Sequence, residues 1–190
     1  MAKNMKLAAL CCGIGSAAML ASYLWLELPL LLTLTITATT FFYHFAMRLV
    51  VGSVVDALMQ NRADATRFWF RPRPWESKLY ARLGVRKWRD RMPSYDPSLF
   101  SPAQHSYAER LGANCQAEVV HEIIILLSFL PLGAAIPFGA FWVFLITSTL
   151  SAAYDSLFVI MQRYARPHLI RAARYAEQKK EDTYDQSDSV

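Results

Sequence analysis

The sequence predicts an all-α integral membrane protein: a four-helix bundle with an amphipathic segment lying at the cytoplasmic interface. Three observations predict it. Hydrophobic types make up 54% of the 190 residues and charged types only 18%. With a mean hydropathy of +0.19, that is too apolar for an ordinary soluble domain or a disordered chain. Second, uncharged runs recur at about the 20-residue length that crosses ~30 Å of hydrocarbon. Third, the chain is basic, with a net charge of +5, and its cations are confined to three places. A nucleic-acid module would spread Lys and Arg over a soluble core, so no nucleic-acid partner is expected.

The first span is the uncharged run 7–26. It is longer than the apolar stretch of a signal peptide, and a second apolar run follows at once, so an uncleaved span is expected. Glu27-Leu28-Pro29 makes a tight connection. The second span covers 28–55, with His44 and Arg48 near its end. The third starts near Cys115 and runs to 132. Pro131 to Pro137 breaks the helix, because Pro and Gly cluster there. The fourth covers 138–161. Backbone groups in lipid are satisfied only by helices or closed barrels, and runs without period-two alternation are helices. Residues 1–175 read as a single membrane domain, and 176–190 as a polar C-terminal tail, expected to fray.

The 20 Lys and Arg fall at Lys3 and Lys6, across 48–110, and across 163–180. The short connections at Glu27 and Gly133 hold none. The positive-inside rule then predicts a multi-pass protein of the cell membrane with both termini and the middle segment cytoplasmic. That middle segment, 56–112, interleaves Phe68, Trp69, Phe70, Trp75, Tyr80 and Trp88 with many cations. Such a mix beside a bilayer reads as an interfacial layer. It also suits a ligand's phosphates, for which Arg and Lys are donors.

Ionisable groups within spans are costly and are therefore functional candidates. They are His44 and Arg48 on the second span, Glu118, His121 and Glu122 on the third, and Asp155 on the fourth. The expected topology brings them to similar depth around a common chamber. His44 and Arg48 are spaced i,i+4, and Glu118 lies i,i+3 from His121, so each pair shares a helix face. Charges at that depth must pair or line a wet cavity. Arg48 and Arg163 are natural partners for Glu118 or Asp155. A neutral imidazole beside a carboxylate is a workable general base: His121, oriented by Glu118 or Asp155. The competing reading is a set of structural polar contacts between helices, each contributing about 1 kcal/mol.

Other signatures are lacking. There is no Gly-x-Ser-x-Gly elbow, P-loop or dinucleotide glycine pattern, and no His-x-x-x-x-Asp motif. Glu118-Val-Val-His121 is a single Glu-x-x-His unit, whereas di-iron bundles use two. His-Glu-x-x-His is missing, so no metal and no cofactor is expected. Cys11, Cys12 and Cys115 show no disulfide or Cys-x-x-Cys pattern. Ser128, Thr147, Ser148 and Ser151 read as hydroxyls bonded to their own helix or a neighbour.

Three blocks carry a family resemblance. Tyr80-Ala-Arg-Leu-Gly-Val-Arg-Lys-Trp-Arg-Asp-Arg-Met-Pro93, with Phe100 beyond it, is the first. Cys115-Gln-Ala-Glu-Val-Val-His121 and Gln162-Arg-Tyr-Ala-Arg-Pro167 follow in order. Together they resemble the bacterial glycosyl-4,4'-diaponeurosporenoate acyltransferase family of carotenoid synthesis, over residues 40–172. Phe42-Tyr-His-Phe-Ala-Met-Arg48 is shared with a subgroup of it. The chain departs from the family pattern at Cys115-Gln116 and at Ala165. The resemblance implies fatty acyl transfer onto a hydroxyl of a lipid-linked sugar. Glu118, His121 and Trp88-Arg89-Asp90 are the implied site residues, with Asp90 a further catalytic carboxylate. Lys87, Trp88, Arg89, Arg163, Tyr164 and Arg166 join Arg48 as substrate-binding candidates, and Arg48 or Arg163 is suited to steady an oxyanion.

The function expected is therefore a membrane-embedded lipid-modifying enzyme. It moves an acyl group from a thioester to a hydroxyl of a glycolipid or isoprenoid-type lipid. Its catalytic candidates are His121, Glu118, His44, Asp155 and Asp90. Its partners are a membrane lipid and a donor, acyl-CoA or acyl-carrier protein, with a homo-oligomer left open. The alternatives are a membrane hydrolase or peptidase using Glu118 and His121, with or without a metal, and a non-catalytic membrane partner or transporter subunit.

Overall fold

A computed structural model describes residues 2–93, 97–101 and 103–187. Among the described residues the secondary structure is helical, with no strand. The helices are α1 (Ala2–Leu26), α2 (Pro29–Met59), α3 (Glu76–Arg82), α4 (Val85–Trp88), α5 (Tyr107–Leu127), α6 (Ala135–Phe138) and α7 (Phe141–Ser187). Among the described residues, four segments are long and apolar enough to cross a membrane: Lys3–Leu26, Pro29–Met59, Tyr107–Phe138 and Phe141–Lys179. The all-α membrane fold expected from the sequence is the fold observed.

The chain packs as two units. One comprises Met1–Ala57 with Val120–Leu157, the other Leu58–Val119 with Phe158–Val190.

In the first unit, α1 ends where Glu27 takes a left-handed backbone (φ 52) and its N–H bonds the Tyr23 carbonyl at 2.8 Å. Pro29 then opens α2, the position where a missing N–H costs nothing. A Cβ on Gly13 would sit 3.2 Å from the Phe42 ring, so this glycine admits the aromatic. Ser16 and Thr39 hydroxyls meet at 2.5 Å across the same α1–α2 contact. Tyr43 donates to the Leu127 carbonyl at 2.8 Å, satisfying one of the acceptors a helix C-terminus leaves open. The Pro131–Pro137 break is a 3₁₀ turn, Leu130–Ala134, followed by α6.

In the second unit, Gln60 and Asn61 both adopt positive φ and close α2. The Asn61 N–H is captured by Gln116 Oε1 at 2.6 Å. Asn61 also presents its carbonyl to Gly112: a Cβ there would lie 2.0 Å from that oxygen. The aromatic middle segment divides by burial. Phe68, Trp69 and Trp75 are exposed, whereas Phe70 and Tyr80 are buried.

Two boundaries differ from the sequence expectation. Helix α5 starts at Tyr107, two turns before Cys115. Ser106 and Glu109 form a capping box: Ser106 N–H donates to Glu109 Oε2 at 2.8 Å and Glu109 N–H to Ser106 Oγ at 3.3 Å. Hydropathy passes over this polar signature. Helix α7 does not end at 161, but carries Pro167 and continues to Ser187; the end of the expected tail, 188–190, lies outside the described residues. Its stretch 172–181 is rich in Ala, Glu, Gln and Lys, all strong helix formers.

Gly112→Ala is expected to cost roughly 1–3 kcal/mol by overpacking. Gly52→Ala, where a Cβ meets nothing within 4 Å, should instead gain about 0.5–1 kcal/mol in helix α2. Thermal unfolding of the two variants in one detergent measures both, and equal melting temperatures would contradict the Gly112 contact.

Candidate active site

The ionisable residues form two networks, one in each unit. The first joins α2, α5 and α7. Asp155 on α7 is 1% exposed, and its carboxylate lies between two partners. Its Oδ2 pairs with the Arg48 guanidinium of α2, and its Oδ1 meets His121 Nδ1 of α5 at 2.8 Å. Arg48 donates also to Ser151 Oγ at 2.8 Å and to the His44 carbonyl at 3.1 Å. Ser151 continues the network to Ser128, hydroxyl to hydroxyl at 2.9 Å.

Charge logic assigns the protons. Arg is permanently cationic, and an ionised carboxylate only accepts. The hydrogen in the His121–Asp155 bond is therefore carried by His121 Nδ1. That leaves the Nε2 lone pair as the basic position of the ring. Unlike Asp155, the His121 side chain is 21% exposed. A buried acid thus holds a partly exposed imidazole in one tautomer.

The α2 face also carries His44. It is buried, and among the described residues neither ring nitrogen has a hydrogen-bond partner. The same is true of the Ser148 hydroxyl on α7.

The second network joins Glu76, Glu118, Arg163 and Arg166. Glu118 is fully buried. Arg163 Nη1 reaches its Oε1 at 2.5 Å, and Arg166 pairs with its Oε2. Arg163 also binds Glu76 Oε1 through Nη2 at 2.7 Å and through Nε at 3.0 Å. Arg166 donates to Asn114 Oδ1 at 3.0 Å and to the Phe70 carbonyl at 3.1 Å. Asn114 in turn donates to Gln162 Oε1 at 2.6 Å. Tyr80 donates to Glu76 Oε2 at 2.9 Å. Burial first, and then that carboxylate, push the Tyr80 phenol well above its usual range, so it stays an O–H donor. Two carboxylates face two guanidiniums, and the charge balances.

Of the two orienting carboxylates the sequence allowed for His121, the one bonded to it is Asp155. Glu118 is held by arginines. Arg48, His44, His121 and Asp155 fall together in the first unit. Arg163 and Arg166 join Glu118 in the second. Also in the second unit, a cavity of about 530 Å³ is lined by Arg73, Arg86, Lys87, Tyr80, Tyr164 and His168. Arg89 lies over the Tyr164 ring, 5.2 Å from its centroid. Trp88 Nε1 donates to the Leu83 carbonyl at 3.0 Å. Asp90 is 78% exposed and pairs with Arg89 at 3.1 Å, outside the buried network.

Sequence reasoning passed over Glu76, Asn114, Gln162 and the Ser128–Ser151 link. Glu76 and Tyr80 are i,i+4, a spacing that could have singled them out within a basic stretch. The serine link carried no such sign, because the two residues come from different helices. Among the described residues, no three His, Cys, Asp or Glu side chains group as a metal site would need.

Membrane-length helices and a match to a family model together define the class: a membrane acyltransferase. Residues 66–175 match the family model described as glycosyl-4,4'-diaponeurosporenoate acyltransferase, more than half of the chain, and the chain belongs to that family. Glu76, Glu118, His121, Asp155, Arg163 and Arg166 lie inside the match, while His44 and Arg48 precede it. No curated protein and no solved structure matches the chain.

Removing one partner of a buried ion network leaves an uncompensated charge. Glu118→Gln is therefore expected to destabilise the protein by roughly 3–5 kcal/mol. Asp90→Asn, at an exposed pair, should leave the melting temperature unchanged. Thermal unfolding in detergent reads both, and a Glu118→Gln protein as stable as wild type would refute the anchoring role.

Proposed function

We propose that the protein transfers a fatty acyl group from an acyl thioester to a hydroxyl of a glycolipid or isoprenoid-type lipid in the cell membrane. The observation that carries this reading is the His121–Asp155 bond, with Arg48 on the carboxylate's other oxygen.

In the reaction, His121 Nε2 accepts the proton of the acceptor hydroxyl as its oxygen attacks the thioester carbonyl. The carbon–sulfur bond breaks, and the proton returns from His121 to the departing thiolate. The products are an ester and a free thiol, so atoms and charge balance. Asp155 holds the ring and stabilises the imidazolium that forms, as a buried carboxylate does in acyl-transfer triads. Arg48 provides positive charge beside the developing oxyanion. Arg163, whose donors are committed to Glu76 and Glu118, is less suited to that task. Glu118 acts as an anchor for Arg163 and Arg166.

The donor in this reading is acyl-CoA or acyl-carrier protein. The cavity edged by Arg73, Arg86 and Lys87 offers the charge and the aromatic faces that a phosphate-bearing carrier needs. The distribution of Lys and Arg supports cytoplasmic termini and a cytoplasmic middle segment, the side on which such donors occur.

The test compares lipid extracts from cells making wild type, His121→Ala and Asp155→Asn, with inserted protein quantified. General base catalysis contributes about 10²–10⁴-fold, so His121→Ala should lose acylated product to that degree. Asp155→Asn should lose a similar factor, because the ring loses its preferred tautomer. An unchanged lipid profile with folded, inserted His121→Ala protein would refute the proposal.

A further inference from the structure

The first unit contains a second cavity, of about 430 Å³, within the size range of lipid and small-molecule sites. It is bounded by Leu20 of α1, Thr40 and Tyr43 of α2, Pro131 and Ala134 of the turn, and Phe144 of α7. Most of its wall is aliphatic or aromatic, and its hydroxyls are already committed. Thr35 and Thr40 donate to the Leu31 and Ile36 carbonyls, each at 2.8 Å. Thr39 meets Ser16, and Tyr43 donates to the Leu127 carbonyl. To a ligand, this wall offers mainly apolar surface.

One helical turn beyond Thr40 on α2 lies His44, and one turn beyond Phe144 on α7 lies Ser148. His44 is 5% exposed and Ser148 fully buried, and among the described residues their three polar atoms have no hydrogen-bond partner. Buried polar groups are nearly always partnered, and leaving one unsatisfied costs about 1–3 kcal/mol. Arg48 is one turn past His44, and Ser151 one turn past Ser148. Each unsatisfied group therefore lies, along its own helix, one turn from the cavity wall and one turn from a member of the network around Arg48 and Asp155.

We infer that the cavity holds the fatty acyl chain and that His44 and Ser148 donate hydrogen bonds to the oxygen of its carbonyl. A fatty acyl group is a long apolar body with a polar group at one end, and the cavity has that pattern. A carbonyl oxygen has two lone pairs and accepts two donors. One His44 ring N–H and the Ser148 O–H supply them. As the thioester is attacked, the same donors hold the oxyanion, beside Arg48. This deepens the acyl-transfer proposal and rests on it.

The experiment uses the full chain in lipid nanodiscs. The probe is palmitate bearing a photoreactive diazirine near its methyl end, read by peptide mass spectrometry, with palmitoyl-CoA as donor for turnover. Cross-links are expected within 20–43 and 130–144, lowered by excess unlabelled palmitate and by Ala134→Trp, which fills the cavity. Ala134→Trp should also shift donor preference toward shorter acyl chains. Ser148→Ala and His44→Phe should each lower kcat by about 10²–10³-fold, the effect of losing one oxyanion donor, with KM little changed and cross-linking retained. Cross-links elsewhere, cross-links that unlabelled palmitate does not lower, or an unshifted chain-length preference in stable Ala134→Trp would overturn the inference. If His121→Ala abolishes turnover while these results fail, the inference alone is wrong. If cross-linking is as expected but His121→Ala turns over normally, the catalytic reading is wrong and the lipid site stands.

Discussion

A carboxylate removed from water among apolar helices stays charged only beside a cation, and the Arg48–Asp155 pair meets that demand. Much of the first unit's polar arrangement follows from it. Arg48 draws in Ser151, which brings Ser128. Asp155, paired with the arginine through one oxygen, has the other left over for the His121 ring. Such a pair adds little net stability, because desolvation consumes most of the Coulomb attraction. Apolar residues of similar volume would pack there at lower cost. What the pair does provide is a fixed, oriented negative charge next to an imidazole.

The two networks obey the same rule with different outcomes. Around Glu118, both carboxylate oxygens are occupied by guanidiniums, and Arg166 spends further donors on Asn114 and Phe70. That network is saturated, which is the condition for rigidity. The Asp155 network is unsaturated at its margin. His121 retains some exposure, and among the described residues His44 and Ser148 carry polar atoms without a hydrogen-bond partner. In the proposed reaction, chemistry is assigned to the network where hydrogen-bonding capacity remains, and anchoring to the one where it has been used up.

Local chain chemistry sets these side chains in place. The Ser106–Glu109 capping box fixes the start of α5, and so the rotation at which Cys115, Glu118 and His121 are presented. Gly112 lets the Asn61 carbonyl close in on α5. Gly13 does the same for Phe42 on α1. These are short-range devices with consequences several turns away.

Run length and charge exclusion were enough to determine four membrane-length helices. A single helix rises 1.5 Å per residue, and long apolar runs without period-two alternation satisfy their backbone in lipid as helices. The same information marked His44, Arg48, Glu118, His121 and Asp155, since ionisable residues inside such runs are conspicuous. Spacing along one helix also showed that Glu118 and His121 share a face. It did not show which carboxylate would serve which partner. Only the tertiary structure decided that His121 takes Asp155, 34 residues away, while Glu118 takes Arg163 and Arg166. Periodicity fixes a side chain's direction from its own helix, whereas its partner depends on the rotation and depth of the helix it meets, and no pattern within one helix encodes those.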